Sequence, residues 1–211
     1  MNRKTNFDSV AWCYDFLAQL VFGSNIKRSQ LVLLNHIKNN SKVLIIGGGT
    51  GWIIKELLAV KQVLQIDYVD SSLKMLDKAR SINSMHTNTL VKFIHGDENA
   101  VQQDAYYDVV LACYFFDLFP LDRLEDIVFK LTNSLKRDGS MLVADFMLNA
   151  KSTIVQRLLL KVMYLFFNVL CSVEAKSLAP LAAVFKKNGL ERTNSVNMYG
   201  GFIRSEVYIK Q

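Results

Sequence analysis

The residues whose types and spacing best suit chemistry are Gly47, Gly49, Gly51, Asp70 and Asp97. The three glycines belong to Val43-Leu-Ile-Ile-Gly-Gly-Gly-Thr-Gly51, where four apolar residues run straight into four glycines and Thr50. Glycine reaches positive φ and has no Cβ, so such a loop lets a ligand lie directly against backbone. Asp70 stands 19 residues after Gly51, at the end of a second apolar run. A carboxylate there can accept two hydrogen bonds from a ribose diol. Asp97 and Glu98 close a third run after His95-Gly96. Two acids beside a glycine loop suit a nucleoside with little negative charge and disfavour a pyrophosphate.

The glycine spacing narrows the ligand further. Dinucleotide dehydrogenases use GxGxxG, whose last glycine lets the helix pack closely on the strand. This chain reads GxGxG and puts Trp52 where that glycine belongs. A phosphate-binding P-loop is excluded as well, because Lys55 has no preceding glycine and no Ser or Thr after it.

These residues need a scaffold, and the apolar pattern supplies one. Runs rich in β-branched and aromatic residues at Val43–Ile46, Val63–Val69, Val91–His95, Val109–Cys113 and Met141–Phe146 alternate with helical patterns at Trp52–Val60, Ser72–Ile82 and Leu121–Leu135. A short helical piece is expected near Glu98–Gln103. Strands that are apolar throughout and separated by helices predict a parallel sheet covered on both faces, an α/β, Rossmann-like, doubly wound fold. Two helices lead into it, Phe7 to about Phe22 and Ile26–Ile37, with Ser24 or Asn25 able to cap the second. Gly139 in Lys-Arg-Asp-Gly139 is expected to take the left-handed position beyond a helix end. Asn194–Tyr199 and Phe202–Ile209, joined at Gly200-Gly201, predict a C-terminal antiparallel pair.

At 211 residues, 51% hydrophobic, with two prolines and no low-complexity run, the chain reads as a single domain over 1–211. Its parts are N-terminal helices (1–40), a ligand-binding core (41–147), an apolar helical lid (148–180), and a last helix end with the strand pair (181–211). The beginning of the sequence shows no secretory pattern, and Cys13, Cys113 and Cys171 form no CxxC pair. A cytoplasmic protein with neither a disulfide framework nor a zinc site is therefore expected. His36, His86 and His95 likewise lack metal-ligand spacing.

On these residues the chain resembles the class I S-adenosylmethionine-dependent methyltransferases of small-molecule type. Val43–Gly51 looks like their first motif, and Asp70-Ser-Ser-Leu-Lys-Met-Leu76 is similar to their D-x-S-x-x-M-L second motif. Gly96-Asp97 matches the acid that in the family faces the adenine amino group, and Tyr107–Ala112 looks like their fourth strand. Tyr14-Asp15 resembles a pair found in small-molecule members, among which the pattern is nearest to the quinone and phospholipid methyltransferases.

The resemblance implies S-adenosyl-L-methionine as cofactor and S-adenosyl-L-homocysteine as product. It brings Gly47, Gly49, Thr50 and Gly51 to the methionine part and gives Asp70 the ribose. Ser71 and Met75 border the adenine, whose amino group meets Asp97 with Glu98 beside it. Ala112 lies near the sulfonium, and Tyr14 closes over the carboxylate. One departure stands out, since the family often has an acid where this chain has Ile45. Structural readings stand next to these roles: Asp97 as a helix cap, Met75 as core, Tyr14 as packing and His95 as structural.

A sulfonium methyl is already activated, so the implied reaction asks mainly for in-line alignment and exclusion of water. No Asn-Pro-Pro-Tyr follows the fourth strand, which disfavours nucleobase or amide nitrogen as acceptor. Tyr114, Phe115, Phe116 and Phe119 wall an apolar acceptor pocket or else belong to the core, with Asp145 and Met163 as further pocket candidates. Asp145 closes the fifth strand and is not read as a base.

Charge is concentrated late in the chain. Residues 1–150 carry 16 Lys or Arg against 16 Asp or Glu, whereas 151–192 carry seven against two. Within that region Ile154–Val173 is apolar round most of a helical wheel, broken by a stripe holding Arg157, Lys161, Asn168 and Ser172. It reads as a buried helix, as the lid over a greasy acceptor, or as a surface helix touching anionic membrane. Arg157 and Lys161 argue against a membrane span, and the scattered basic residues argue against nucleic acid. The leading expectation is a methyltransferase for a small apolar or amphiphilic acceptor. An aminopropyltransferase-like enzyme and a non-catalytic nucleoside- or partner-binding domain stay open beside it.

Overall fold

Alternate residues of β1 (Lys42–Ile46) show how the chain builds its layers. Val43 and Ile45 enter one apolar cluster, Leu44 and Ile46 enter the other, and all four are buried. A strand apolar at every position is thus covered on both faces, as the period of two requires. The computed structural model describes residues 21–61, 65–83, 90–149, 152–171, 175 and 177–211. The first expected helix lies outside these residues except for its last two, and Tyr14 and Cys13 lie outside them altogether.

The described chain begins with α1 (Asn25–Leu34), followed by β1, α2 (Trp52–Val60), β2 (Gln65–Asp70), α3 (Leu73–Asn83), β3 (Leu90–His95) and β4 (Tyr107–Cys113). Then come α4 (Leu121–Ser134), β5 (Leu135–Phe146), α5 (Ile154–Cys171), α6 (Leu181–Lys187), β6 (Leu190–Met198) and β7 (Ile203–Lys210). The seven strands stand in the order β3-β2-β1-β4-β5-β7-β6. The first five are parallel, and β7 runs antiparallel between β5 and β6. The mostly parallel doubly wound sheet with a C-terminal antiparallel strand is as the sequence predicts.

Each cluster has its own covering helices. Leu33, Leu34, Ile53, Ile54, Leu57, Leu76 and Ala79 cover the Val43 face from α1, α2 and α3. Leu124, Ile127, Val128 and Leu131, at helical spacing on α4, cover the other face together with Val184 and Phe185 of α6. A third cluster of Phe22, Phe146, Leu160, Phe202 and Ile203 joins the lid helix α5 to the end of β5.

Register fixes where chemistry can happen. Ile46 lies opposite both Val69 and Ala112, Asp70 opposite His95, and Cys113 opposite Ala144. One step beyond Ile46, the residues Gly47, Asp70, Cys113 and Ala144 stand in a row along the carboxyl edge, and Asp145 follows one residue further out. The chain reverses direction across the sheet between β1 and β4, the place where open α/β sheets bind ligands.

Four local expectations are corrected. The piece near Glu98–Gln103 is a three-residue 3-10 turn, Glu98–Ala100. Ser24 stands at the start of α1 in helical conformation with no side-chain cap, while Asn25 Nδ2 donates back to Phe22 O. Asp138, with φ of 60°, holds the left-handed position assigned to Gly139. Gly139 is required for space instead, because a Cβ there would lie 2.8 Å from Lys136 O. Finally, α6 lies in the stretch read as a last helix end, and β6 begins at Leu190 rather than Asn194.

Candidate functional site

The glycine loop is shaped by three different contacts. A Cβ on Gly47 would come within 2.7 Å of the Phe115 ring, and one on Gly48 within 2.2 Å of Tyr68 Cζ, so the protein itself closes on these two residues. Gly49, with φ of 64°, faces open space. Its N–H donates to Asp70 Oδ2 at 2.8 Å and its carbonyl accepts from the Tyr68 hydroxyl at 3.1 Å. The backbone at Gly49 is therefore clamped from both ends while its Cα side is left bare. Gly51, with φ of 90°, starts α2 in a left-handed conformation no L-residue takes cheaply. A glycine there is a requirement of the turn. Thr50 is buried beside it.

Asp70 is buried and holds the loop through both oxygens, since its Oδ1 also accepts from Ser72 N at 2.8 Å. Ser71 is exposed at the loop's rim, where its carbonyl meets His95 Nε2 at 3.0 Å. Met75 is buried on the first turn of α3, and its N–H donates to Ser72 Oγ. Asp97 caps the 3-10 turn through Asn99 N at 3.0 Å and Asn99 Nδ2 at 2.9 Å. Glu98 is buried and pairs with Arg123 of α4 at 3.0 Å. Its Oε2 is buried without a hydrogen-bond partner among the described residues. The register thus gathers Gly49, Asp70 and Ser71 at one place, with Asp97 at the mouth of the neighbouring β3, whereas Glu98 is tied to α4. Ile45 is buried beside Tyr68 and Leu111 in the strand interior and continues its apolar face.

Ala112 is buried in β4 next to the residue before Gly47. The four residues that follow the strand diverge. Tyr114 has φ of 54°, unusual for a bulky residue, and its hydroxyl lies 2.8 Å from Ser29 Oγ of α1. Phe115 stands over Gly47, while Phe116 turns into the core against Phe185. Asp117 is the residue that sequence reasoning passed over. Its N–H donates to Asp145 Oδ2 at 3.2 Å, and its Oδ1 is buried with no hydrogen-bond partner among the described residues. Two buried carboxyls this close do not both ionise readily, so the pair keeps a proton at neutral pH.

Burial sets the acidity of this pair, with the charge of Asp117 acting further on Asp145. Burial lifts the Asp117 carboxyl to about 7. Burial and the charge of Asp117 push Asp145 up as well, against backbone N–H bonds from Phe146 and Asp117. Tyr164 reaches over from α5, its hydroxyl donating to Asp117 O at 3.2 Å, and burial followed by the two carboxyls raises its phenol. Burial pushes the Cys113 thiol up to about 12, so it is no nucleophile at neutral pH. Met163 packs on the Phe22, Phe146 and Phe202 cluster beside Tyr164. Among the described residues no group of three or more His, Cys, Asp or Glu could hold a metal ion.

This geometry offers a bare backbone surface with a carboxylate for hydroxyls, and next to it a proton-sharing acid pair walled by aromatic rings. Known proteins match the same elements. Residues 43–139 match the methyltransferase domain family. A malonyl-[acyl-carrier protein] O-methyltransferase from Halalkalibacterium halodurans is 38% identical over 108 residues, 49% of this chain and 38% of that protein. The chain thus spans well under half the length of that relative. Among solved structures, mitomycin 7-O-methyltransferase MmcR superposes with a TM-score of 0.71 at 18% identity over 94% of this chain and 57% of its own. A SAM-dependent methyltransferase from Aquifex aeolicus gives 0.65 at 15% identity over 93% and 98%. At such identities the structures speak for the fold, and the sequence matches speak for the family. The matched stretch, somewhat under half of the chain, runs from the second residue of β1 into the first half of β5 and holds the glycine loop, Asp70 and Asp97; this part of the chain is similar to methyltransferase domains, and the cofactor that similarity implies is S-adenosylmethionine.

Proposed function

We propose that the protein methylates a small apolar or amphiphilic acceptor bound between the mouths of β4 and β5 and the inner face of α5. The observation that carries this reading is the Asp117–Asp145 pair, assembled beside Ala112 and the Phe115-covered glycine loop and touched by Tyr164 of the lid. Bound S-adenosylmethionine supplies an activated methyl group on its sulfonium.

The chain's own residues do the rest. Gly47, Gly49, Thr50 and Gly51 receive the methionine part, and Asp70 accepts from the ribose hydroxyls with the lone pairs its N–H bonds leave. Ser71 and Met75 border the adenine, and Asp97 accepts from its amino group. Tyr14 covers the carboxylate. Met163, Tyr164 and Tyr114 wall the acceptor and keep water out, which aligns it for in-line transfer. A hydroxyl or ring-carbon acceptor must lose a proton as its bond to the methyl group forms and the sulfur–methyl bond breaks. The singly ionised Asp117–Asp145 pair takes that proton. An acceptor entering as a carboxylate meets the charge of the pair, so the reading favours neutral acceptors over the malonyl type named for the relative.

A panel of phenols, quinols, long-chain alcohols and carboxylic acids, scored for radiolabel passed from S-adenosylmethionine into organic extracts, tests the proposal. Transfer to a neutral hydroxyl or ring carbon, rising with pH through about 7, supports it. Cofactor binding with no transfer to any neutral class sinks the enzymatic reading in favour of a binding domain, and transfer to carboxylic acids alone sinks the role of the pair.

A further inference from the structure

The lid helix α5 has two apolar faces, and the described residues cover only one. Leu160, Leu159, Met163 and Tyr164 pack inward on the Phe22, Phe146 and Phe202 cluster. On the outside Ile154, Val155, Leu158, Val162 and Leu165 remain 84%, 74%, 60%, 55% and 69% exposed. Their spacing makes one continuous aliphatic stripe along about three turns of helix. An exposed stripe of this length on a helix is a contact surface rather than scatter.

Charge decides what it contacts. Lys161 is exposed within the stripe, and Arg157 is exposed at its edge while its guanidinium donates to Asn149 O and Ser152 O. No Asp or Glu occurs between Asp145 and Glu174, while Lys151, Arg157 and Lys161 all fall there. A second copy packed about a two-fold axis on this stripe would bring Lys161 against the same cation with no acid on either helix to answer it. A bilayer surface supplies both requirements, acyl chains for the aliphatic residues and anionic headgroups for the lysine. On the inner side, Gln156 Nε2 donates to Tyr199 O at 3.1 Å and the Tyr199 ring packs on Phe22, so the start of the helix is tied down and the stripe is left facing outward. No described helix is long and apolar enough to cross a membrane.

We infer that α5 docks the protein on an anionic lipid bilayer, lying in the interface plane with Leu158, Val162 and Leu165 among the acyl chains and Lys161 at the phosphates. The helix that walls the acceptor pocket on its inner side then rests on lipid with its outer side, so an amphiphilic acceptor can pass from bilayer to pocket. Docking itself does not depend on the proposed reaction.

Co-sedimentation of the full chain with vesicles tests this. The protein should pellet with phosphatidylcholine–phosphatidylglycerol vesicles and at least about fivefold less with phosphatidylcholine alone or in high salt. Leu158→Asp with Leu165→Asp should cut partitioning more than about tenfold, and Lys161→Glu by about fivefold, with circular dichroism unchanged. If the double variant fails to fold, Lys161→Glu carries the comparison, since its side chain is exposed. No binding to the anionic vesicles, or variants that bind like the parent, overturns the inference. So does a dimer in solution that the aspartates dissolve while vesicles are ignored. Calorimetry with S-adenosylmethionine on the same samples reads the cofactor site separately, and a failure there counts against the proposed function and not against the docking surface.

Discussion

The two halves of the carboxyl edge are built on different principles. On the cofactor half, the groups are backbone, and one short stretch of chain brings them together: Gly49 N–H on Asp70 Oδ2, Gly49 C=O under the Tyr68 hydroxyl, and Ser72 N–H on Asp70 Oδ1. On the acceptor half, the groups are side chains from separate elements: Asp117 after β4, Asp145 at the end of β5, Tyr164 from α5, and Tyr114 anchored to Ser29 of α1. The first half is satisfied and fixed before any ligand binds. The second holds a proton it would release if the pair were exposed, so its chemistry depends on the lid staying in place.

Substitutions should separate the halves if they are independent. The largest expected effect is on rate: Asp117→Asn should lower kcat for a hydroxyl acceptor by about 10²-fold, the scale of a lost general base. Cofactor affinity should stay within about twofold, and equal losses in both quantities would merge the halves into one site. Gly49→Val comes next. Its side chain would enter the open space beside the loop and adopt a φ costing about 1–2 kcal/mol, so cofactor binding should fall more than about tenfold while the fold survives. A variant that binds as the parent would show that the bare side of the loop faces something else.

The acid pair also makes a stability prediction with a definite sign. Burial holds Asp117 at about 7 in the folded chain against the usual 3.8, although its contact with Asp145 pulls the other way. The folded state keeps a proton that the unfolded state releases, so this contribution is full below about pH 4 and is lost as pH rises through about 7. Asp117→Asn should therefore gain about 1–3 kcal/mol over the parent at pH above 7 and almost nothing near pH 4, by denaturant titration at both values. The same gain at both would mean the pair is not proton-sharing. The smallest effect is expected for Tyr164→Phe, which loses one hydrogen bond to Asp117 O worth about 0.5–1.5 kcal/mol. It should raise KM for the acceptor and leave cofactor binding alone.

The same contrast governs how much the sequence disclosed. Strands β1 to β4 and helices α2 to α4 were readable because burial on one or two faces imposes a period that side-chain type must follow. The glycine loop and its link to Asp70 were readable because bare backbone at positive φ demands glycine and an acid ends the neighbouring strand. Asp138 and Gly139 were misread because both stand where a turn is expected, and what distinguishes them is the Lys136 carbonyl, not local preference. Helix α6 is seven residues long, too short for periodicity to speak. Asp117 was passed over because an acid in a run of aromatics resembles a turn residue, and its partner lies 28 positions away. A signal existed in Asp145, an acid closing an apolar strand, but only the fold shows what faces it. The outer face of α5 was half legible: composition gave the apolar excess, and packing showed which part of it is left uncovered.

Titration calorimetry of S-adenosylmethionine into the parent protein, Asp70→Ala and Asp117→Asn reads the division of the site most directly. The account predicts binding by the parent, binding weakened by about 1–3 kcal/mol in Asp70→Ala as a buried charged hydrogen-bond acceptor is lost, and binding unchanged in Asp117→Asn. An Asp117→Asn protein that loses affinity as Asp70→Ala does, or an Asp70→Ala protein that keeps it, would contradict a cofactor half and an acceptor half that work separately.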